Sequence, residues 1–196
     1  MPFRSLHLAS ASPRRAELLR NLGLEFTAAG VDIDETRRPG ESPHDMVLRL
    51  ALAKATAADS DADIVIGSDT AVVLGDEVFG KPVDQADGLR MLSALSGRSH
   101  EVMTAVAARS GARLTSAISV TSVQFREFGR DEALAYWQSG EPCDKAGAYG
   151  IQGLGGVFVK AIEGSYSGVV GLPVYETALL LAEAGLPILD TQVVDD

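Results

Sequence analysis

The sequence predicts an α/β protein with a mixed sheet flanked by helices. Two short apolar runs, at 6–9 and 64–66, each precede a polar segment, and they alternate with helices that begin at capping residues. Two longer β-rich runs, at 102–108 and 117–125, are separated by a short turn and predict an antiparallel hairpin. No repeat or linker divides the chain, so residues 1–196 are expected to form one domain, with room for two lobes that share a cleft.

The first strand, at residues 6–9, runs directly into a helix. Ser12 is a good N-cap, and Pro13 at the first helical position loses nothing by lacking an N–H. Arg14 and Arg15 lie in this first turn, where the positive end of the helix dipole disfavours cations and favours anions. The two arginines are therefore expected to bind a ligand such as phosphate, whose oxygens match the guanidinium fork. The alternative is a surface-exposed pair.

A second capped helix begins after an acidic loop. Ser42 is predicted as its N-cap and Pro43 as its first residue, and the helix is expected to run to about residue 58. Lys54 lies four residues after Leu50, on the apolar stripe that faces the core. A lysine there either extends to the edge of the core or reaches a buried anion. The buried anion is favoured, because outward positions on this helix were available.

The central strand, at 63–74, brings a carboxylate into the predicted sheet. Its apolar start leads into Asp69, and an acidic residue after such a run is often delivered to the carboxyl end of a strand in α/β enzymes. A turn at Gly75 then brings Lys81 back to the same neighbourhood. A carboxylate and a second lysine are thus expected near each other.

The rest of the chain is predicted from caps, β-rich runs and glycines. Asp84 caps a helix to about residue 95, and a further helix opens at Arg130 and ends before Gly140. The other expected segments are a first helix at 16–22, a short strand at 24–28, a glycine-dense loop at 145–156, a strand at 157–162, a loop at 164–167, a helix to about 184 and a frayed tail over the last ten residues.

Composition limits the classes of function. The 17 basic and 27 acidic residues give a net charge of −10, which argues against a general nucleic-acid binder because such a protein needs a basic face. No apolar run approaches the ~20 residues of a membrane span, and Arg4, Ser5 and His7 interrupt any signal-peptide core. Cys143 is the single cysteine, so an internal disulfide is excluded. We expect a cytoplasmic protein with no nucleic-acid or membrane partner.

The charged residues form a plausible set for a polyphosphate site. Arg14, Arg15, Lys54 and Lys81 can hold phosphate oxygens, and carboxylates can hold Mg²⁺, which keeps water and bridges to the substrate. A carboxylate can also take a proton from water, which would give metal-assisted cleavage of a phosphoanhydride. No Walker A string is present, and the glycines at 150–156 precede a strand rather than open a helix. Neither a P-loop nor a dinucleotide-binding motif is predicted.

Five motifs occur in a fixed order along the chain. They are Ser10-x-Ser12-Pro13-Arg14-Arg15-x-Glu17-Leu18-Leu19, Ser68-Asp69-Thr70, Gly80-Lys81-Pro82, Ser96-Gly97 with His100-x-Val102-x-Thr104, and Asp144-Lys145-Ala146-Gly147-x-Tyr149-x-Ile151-Gln152. In this order they resemble the Maf proteins, nucleoside triphosphate pyrophosphatases that cut an NTP to the monophosphate and pyrophosphate. The resemblance covers residues 5–184. Gly150-Ile151-Gln152-Gly153 and Gly164-Ser165-Tyr166 resemble the branch that hydrolyses dTTP and UTP.

The resemblance implies the catalytic and phosphate-binding residues. Asp69 would be the catalytic carboxylate and proton acceptor, with Lys54 and Lys81 beside it. Ser12, Arg15 and the same two lysines would hold phosphates. Asp69, Arg15 and the lysines were already singled out by local chemistry, so resemblance and chemistry agree on these positions.

The resemblance also implies the residues that select the base. Arg14, Thr70 and Gln152 fall on the family's specificity positions. The amide of a glutamine can both donate and accept, so it can pair with the O4/N3–H edge of uracil or thymine. A pocket sized for a pyrimidine would also reject purines. The implied partners are pyrimidine nucleoside triphosphates.

The implied cofactor is a divalent cation, Mg²⁺ or Mn²⁺. Glu35 and Asp69 are the expected ligands, and Asp32 and Asp34 stay open as further ligands. The family further implies an elongated α/β fold related to the inosine-triphosphate pyrophosphatases, with a cleft between two lobes, and a homodimer.

Three alternatives to this function remain. A nucleotide-binding regulator of cell division or septum formation would bind without catalysis, a role also associated with the family. A phosphatase would release orthophosphate instead of pyrophosphate. A pyrophosphatase of the 7-methyl-GTP type would prefer a purine, although that branch resembles this chain less well in the first motif and in the Ala146-Gly147 segment.

Overall fold

A single mixed sheet forms the centre of the protein, which the computed structural model describes over residues 4–189. Its strands there are β1 Leu6–Leu8, β2 Thr27–Ala28, β3 Ile64–Leu74, β4 Glu77–Phe79, β5 Ser99–Ser110, β6 Arg113–Phe125 and β7 Val159–Glu163. They are ordered β2-β1-β3-β5-β6-β7, and β4 pairs with β3. The β2, β1 and β3 strands are parallel, whereas β3 to β7 pair antiparallel. The predicted mixed sheet and the hairpin of β5 and β6 are confirmed.

Three of the helices begin where the capping residues Ser12, Ser42 and Asp84 predict. Over residues 4–189 the helices are α1 Pro13–Asn21, α2 Pro43–Ala57, α3 Gln85–Leu95, α4 Arg130–Gln138, α5 Tyr166–Val170 and α6 Val174–Glu183, with 3₁₀ turns at Glu141–Asp144, Ala146–Ala148 and Leu154–Phe158. Ser42 accepts a hydrogen bond from Asp45 N at 3.0 Å, and Asp84 accepts one from Asp87 N at 2.8 Å. No helix within this range is both long and apolar enough to cross a membrane.

Four sequence expectations need correction. The first helix begins at Pro13, which confirms the start predicted from the Ser12 cap and corrects the start at residue 16. The strand expected at 24–28 is reduced to Thr27–Ala28, because its partner β1 is itself only three residues long. The strand expected at 157–162 begins at Val159, since pairing with β6 starts there and a 3₁₀ turn precedes it. The loop expected at 164–167 opens α5, which the Ser165 side chain caps by accepting from Gly168 N at 3.0 Å. Residues 190–196 of the expected tail lie outside the described residues.

The unequal lengths of β1 and β3 create the space for a site. β1 ends at Leu8, which pairs with Ile66, but β3 continues to Leu74. Asp69 therefore lies in the middle of β3, not at the carboxyl end of a strand as expected from sequence, and is paired with Ala105 of β5. Its position is nevertheless past the carboxyl end of the neighbouring parallel strand. The chain leaving β1 turns there into α1. The predicted phosphate site at the start of α1 therefore lies beside the carboxylate of Asp69.

Apolar burial fixes the helices against this sheet. Leu8 of β1, Leu19 of α1 and Leu181 of α6 are fully buried in one cluster. Phe125 of β6 and Leu92 of α3 belong to a second cluster. Burial of each such side chain contributes about 1.5–3 kcal/mol relative to exposure. These apolar contacts hold the helices that frame the cleft against the sheet.

His100 gives the stability of this core a pH dependence. It is 2% exposed on β5, its Nε2 lies 2.8 Å from Tyr149 Oη, and burial lowers its pKa from 6.5 to about 4. The unfolded chain therefore binds a proton more readily, and the contribution of His100 is complete above pH 6.5 and declines towards pH 4. Between pH 7 and pH 5 we expect a loss of about 2 kcal/mol in the free energy of unfolding from this group.

Urea unfolding of the protein and of His100→Gln at both pH values measures this contribution. The variant cannot titrate at this position, so its free energy of unfolding should fall less between pH 7 and pH 5. Equal declines for the two proteins would contradict the assignment to His100.

Candidate active site

A cleft of about 780 Å³ lies beyond the end of β1. It is lined by the start of α1, the inner face of α2, the second half of β3 and the segment that follows α4. Nine of the expected site residues line this cleft, namely Ser12, Arg14, Arg15, Glu35, Lys54, Asp69, Thr70, Lys81 and Gln152. Residues from distant parts of the chain are thus collected in one place.

Arg15 is held in a fixed orientation at the start of α1. Its Nε donates to Gly171 O at 2.8 Å, and its two terminal nitrogens donate to Ser10 Oγ and Thr70 Oγ1, each at 3.2 Å. Burial lowers the pKa of Arg15, and the nearby Asp69 carboxylate opposes this effect. Three of the five N–H groups of a guanidinium are used in this way. Two remain for an anion in the cleft.

Lys54 connects two carboxylates in the cleft. Its Nζ lies 2.7 Å from Asp69 Oδ1 and 2.6 Å from Glu35 Oε1. Lys54 and Asp69 are each only 8% exposed, so the lysine on the inward face of α2 does reach a buried anion. An isolated charge at this depth would be costly, and the pairing offsets that cost.

The two carboxylates differ in their readiness to hold a proton. Burial raises the pKa of Asp69 above its usual value, and the charge of Lys54 only partly opposes this. Burial acts on Glu35 as well, but the hydrogen bond and charge of Lys54, together with the charges of Lys81 and Arg15, outweigh it and lower the pKa of Glu35. A raised pKa in a cleft is typical of a carboxylate that accepts a proton during catalysis. Asp69 therefore suits that role better than Glu35.

Arg14 is joined to the opposite wall of the cleft. Its Nη1 lies 3.1 Å from Asp144 Oδ2, and Lys145 Nζ lies 2.7 Å from the other oxygen of the same carboxylate. No local pattern predicts this pairing, because 130 residues separate Arg14 from Asp144. The Asp144-Lys145 motif is recognisable in the sequence, but its contact with Arg14 of α1 is not.

Arg37 is a cleft residue that the sequence interpretation missed. Its Nε donates to Glu41 O at 2.9 Å, while the Glu41 carboxylate is occupied by Arg49 at 2.6 and 2.8 Å. Within residues 4–189, neither Arg37 nor Lys81 has a carboxylate partner, although both line the cleft. No local signal distinguishes Arg37 from the adjacent Arg38, because both belong to one polar loop.

Two carboxylates of the cleft lie close enough together to be candidate ligands of a divalent cation. Glu35 and Asp69 each contact Nζ of Lys54, so their carboxylates are neighbours with the lysine nitrogen between them. Over residues 4–189 no three His, Cys, Asp or Glu side chains gather as a metal cage, and neither Asp32 nor Asp34 lines the cleft. Mg²⁺ commonly takes one or two carboxylates, several waters and substrate phosphates, so two carboxylates are sufficient.

Comparison with known proteins gives relatives that match nearly the whole chain. A family described as "Maf-like protein" matches residues 5–184. The dTTP/UTP pyrophosphatase of Hahella chejuensis is 53% identical over 192 residues, which cover 94% of each chain. The dTTP/UTP pyrophosphatase of Shewanella oneidensis is 54% identical, over 93% of this chain and 99% of that protein. Among solved structures, the Staphylococcus aureus Ham1 protein gives a TM-score of 0.44 with 14% identity, over 62% of this chain and 72% of that chain.

Proposed function

The chain belongs to the Maf family, and from that premise we propose that it is a nucleoside triphosphate pyrophosphatase that hydrolyses dTTP and UTP. The products would be the nucleoside monophosphate and pyrophosphate. The observation that carries the proposal is the buried Asp69, whose pKa is raised, in contact with Lys54 in a cleft that arginines also line. Relatives at 53% and 54% identity over nearly all of the chain support the choice of substrate.

The proposed chemistry is hydrolysis between the α and β phosphates. Asp69 accepts a proton from a water molecule while the water oxygen attacks phosphorus. The bridging P–O bond breaks, and its electron pair leaves with pyrophosphate. Lys54, which contacts Asp69 at 2.7 Å, keeps the carboxylate ionised and oriented in the ground state.

The phosphates are bound by cations and by the start of α1. Arg15 has two free N–H groups and a fixed orientation, and Ser12 caps the helix whose N-terminus favours an anion. Lys81 lies exposed on the cleft wall and adds a further positive charge. A divalent cation, Mg²⁺ or Mn²⁺, would be held by Glu35 and Asp69 and would supply charge neutralisation on the phosphate oxygens.

Gln152 is the proposed reader of the base. It is exposed on the cleft wall, where its amide can pair with the O4/N3–H edge of uracil or thymine. Arg14 and Thr70 are the other proposed specificity residues, and Thr70 is also fixed by Arg15 at 3.2 Å. Acceptance of both UTP and dTTP requires that the ribose 2′-OH is read weakly.

A nucleotide panel with separate detection of pyrophosphate and orthophosphate tests the proposal. UTP and dTTP should release pyrophosphate, and omission of Mg²⁺ and Mn²⁺ should abolish the release. Orthophosphate as the first product would indicate a phosphatase, and preference for 7-methyl-GTP would indicate the purine branch. Binding of UTP without turnover would favour the non-catalytic regulator of division.

Assembly and location are also part of the proposal. The family suggests a homodimer, which sedimentation of the purified protein would reveal as twice the 20.6 kDa chain mass. A cytoplasmic location remains a prediction from composition, and fractionation of cells tests it.

Arg37→Gln is expected to raise the KM for UTP by roughly tenfold, the cost of a charge-assisted contact to phosphate. The physical reason is that Arg37 lines the cleft with no carboxylate partner among the described residues. Steady-state kinetics measure the change. Arg38→Gln is the matched control, because the Arg38 side chain does not line the cleft, and it should leave KM unchanged. Equal KM values for the two variants would exclude a phosphate contact by Arg37.

A further inference from the structure

Glu141 lies beneath the loop that carries Gln152. The loop runs from Gly150 to Gly155, and the Glu141 carboxylate accepts from two of its backbone N–H groups. Oε2 accepts from Leu154 N at 2.7 Å, and Oε1 accepts from Gly155 N at 3.0 Å. A carboxylate that accepts backbone N–H groups forms strong, directional bonds. One end of the loop is therefore tied to Glu141.

The other end of the loop is tied to the same carboxylate through Tyr136. The Tyr136 hydroxyl donates to Glu141 Oε1 at 2.7 Å and accepts from Gly150 N at 3.1 Å. Burial, followed by the bond to Glu141, raises the pKa of Tyr136, so the hydroxyl keeps its proton. Gln152 lies between these two anchors, and its own side chain faces the cleft.

The glycines of the loop show how closely the backbone is seated. A Cβ atom at Gly153 would overlap Glu141 Oε2 and lie 2.6 Å from its Cδ. A Cβ atom at Gly155 would lie 2.5 Å from the Tyr136 hydroxyl oxygen, well inside contact distance. The backbone can approach Glu141 and Tyr136 only because these positions lack side chains. The position of the loop backbone is thus fixed by its contacts with Glu141 and Tyr136.

We propose that Glu141 is a positioning residue that sets base selectivity. It holds the 150–155 loop, and with it the Gln152 amide, in the position where the amide can hydrogen-bond to a pyrimidine base. The inference rests on the proposed function of the cleft. Among its described bonds, Glu141 contacts neither Asp69 nor the cations proposed to bind phosphate, and only its backbone oxygen accepts from Lys145 Nζ, at 2.6 Å. Its loss should therefore act on binding and choice of base, and not on the proton transfer.

Glu141→Gln tests this by a split between KM and kcat. The amide nitrogen of glutamine would oppose one of the two loop N–H donors, so one anchor becomes a repulsion. We expect the KM for UTP to rise roughly tenfold, the preference for UTP over CTP to shrink by a similar factor, and kcat to change less than about twofold. Tyr136→Phe removes the Gly150 anchor and the hydroxyl's bond to Glu141 but leaves the carboxylate's bonds to Leu154 N and Gly155 N, so it should show the same pattern to a smaller degree.

Glu127→Gln is the matched control, because the exposed Glu127 carboxylate makes no hydrogen bond among residues 4–189. It should leave KM, kcat and base preference unchanged. A fall in kcat for every nucleotide at unchanged KM in Glu141→Gln would show loss of folded enzyme and overturn the positioning role. Unchanged KM and unchanged base preference would overturn it as well.

Hydrogen–deuterium exchange separates this inference from the proposed function. In Glu141→Gln, exchange should accelerate at the amides of Leu154 and Gly155, whether or not the protein hydrolyses UTP. If the unmodified protein fails to hydrolyse UTP while exchange accelerates, the proposed function fails and the anchoring of the loop stands. If UTP is hydrolysed but loop exchange and selectivity are unaltered in the variant, the anchoring fails and the function stands.

Discussion

Asp69→Asn is expected to lower kcat for UTP hydrolysis by roughly 10²–10⁴-fold, the contribution typical of a general base. Asparagine has nearly the same shape, and its carbonyl oxygen can still accept from Lys54, which lies 2.7 Å from Asp69 Oδ1. What it lacks is an oxygen that can take a proton from water. Pyrophosphate release under saturating UTP measures the effect, and nucleotide binding should be retained because Arg15 and Lys81 are unchanged.

The control for this substitution is Asp76→Asn in the exposed turn between β3 and β4. It makes the same chemical change on the same segment but outside the cleft, so kcat should remain at the level of the unmodified protein. Normal turnover by Asp69→Asn would remove Asp69 from the mechanism. Loss of turnover in both variants would indicate a general effect of the substitution rather than a catalytic one.

Gly67→Ala is expected to destabilise the protein by about 3 kcal/mol or more, at the upper end of the cost of overpacking. A Cβ atom at Gly67 would overlap the carbonyl oxygen of Ala51 and lie 2.5 Å from Ala55 N, both in the backbone of α2. A helix backbone cannot yield as the end of a flexible side chain can. Because α2 carries Lys54 and β3 carries Asp69, the added methyl group should also separate this pair.

Urea unfolding at constant pH measures the loss of stability. The rate of UTP hydrolysis per folded molecule measures the effect of separating Lys54 from Asp69. Gly80→Ala provides the comparison for stability, since a Cβ atom there meets nothing within 4 Å and its φ is not positive. That variant should unfold within about 1 kcal/mol of the original protein. Similar losses in both variants would contradict a close contact between α2 and β3 at Gly67.

Predictions based on local rules agreed well with the structure. The caps at Ser12, Ser42 and Asp84 follow from hydrogen bonds that a side chain makes within three residues, and each begins a helix. The inward position of Lys54 follows from helical periodicity alone. The expected strand at 157–162 was partly wrong, because strand pairing with β6 decides where β7 begins, and pairing is not a local property.

Local sequence patterns were sufficient to predict the alternation of strands and helices, the capped helix starts, the buried lysine and the family to which the motifs point. These depend on backbone propensity and on periodicity over a few residues. Three features became visible only in the folded protein: Asp69 lies within β3, Arg14 contacts Asp144, and Glu141 binds the loop of Gln152. Such contacts join segments far apart in the chain, and their geometry depends on how the whole sheet packs against its helices.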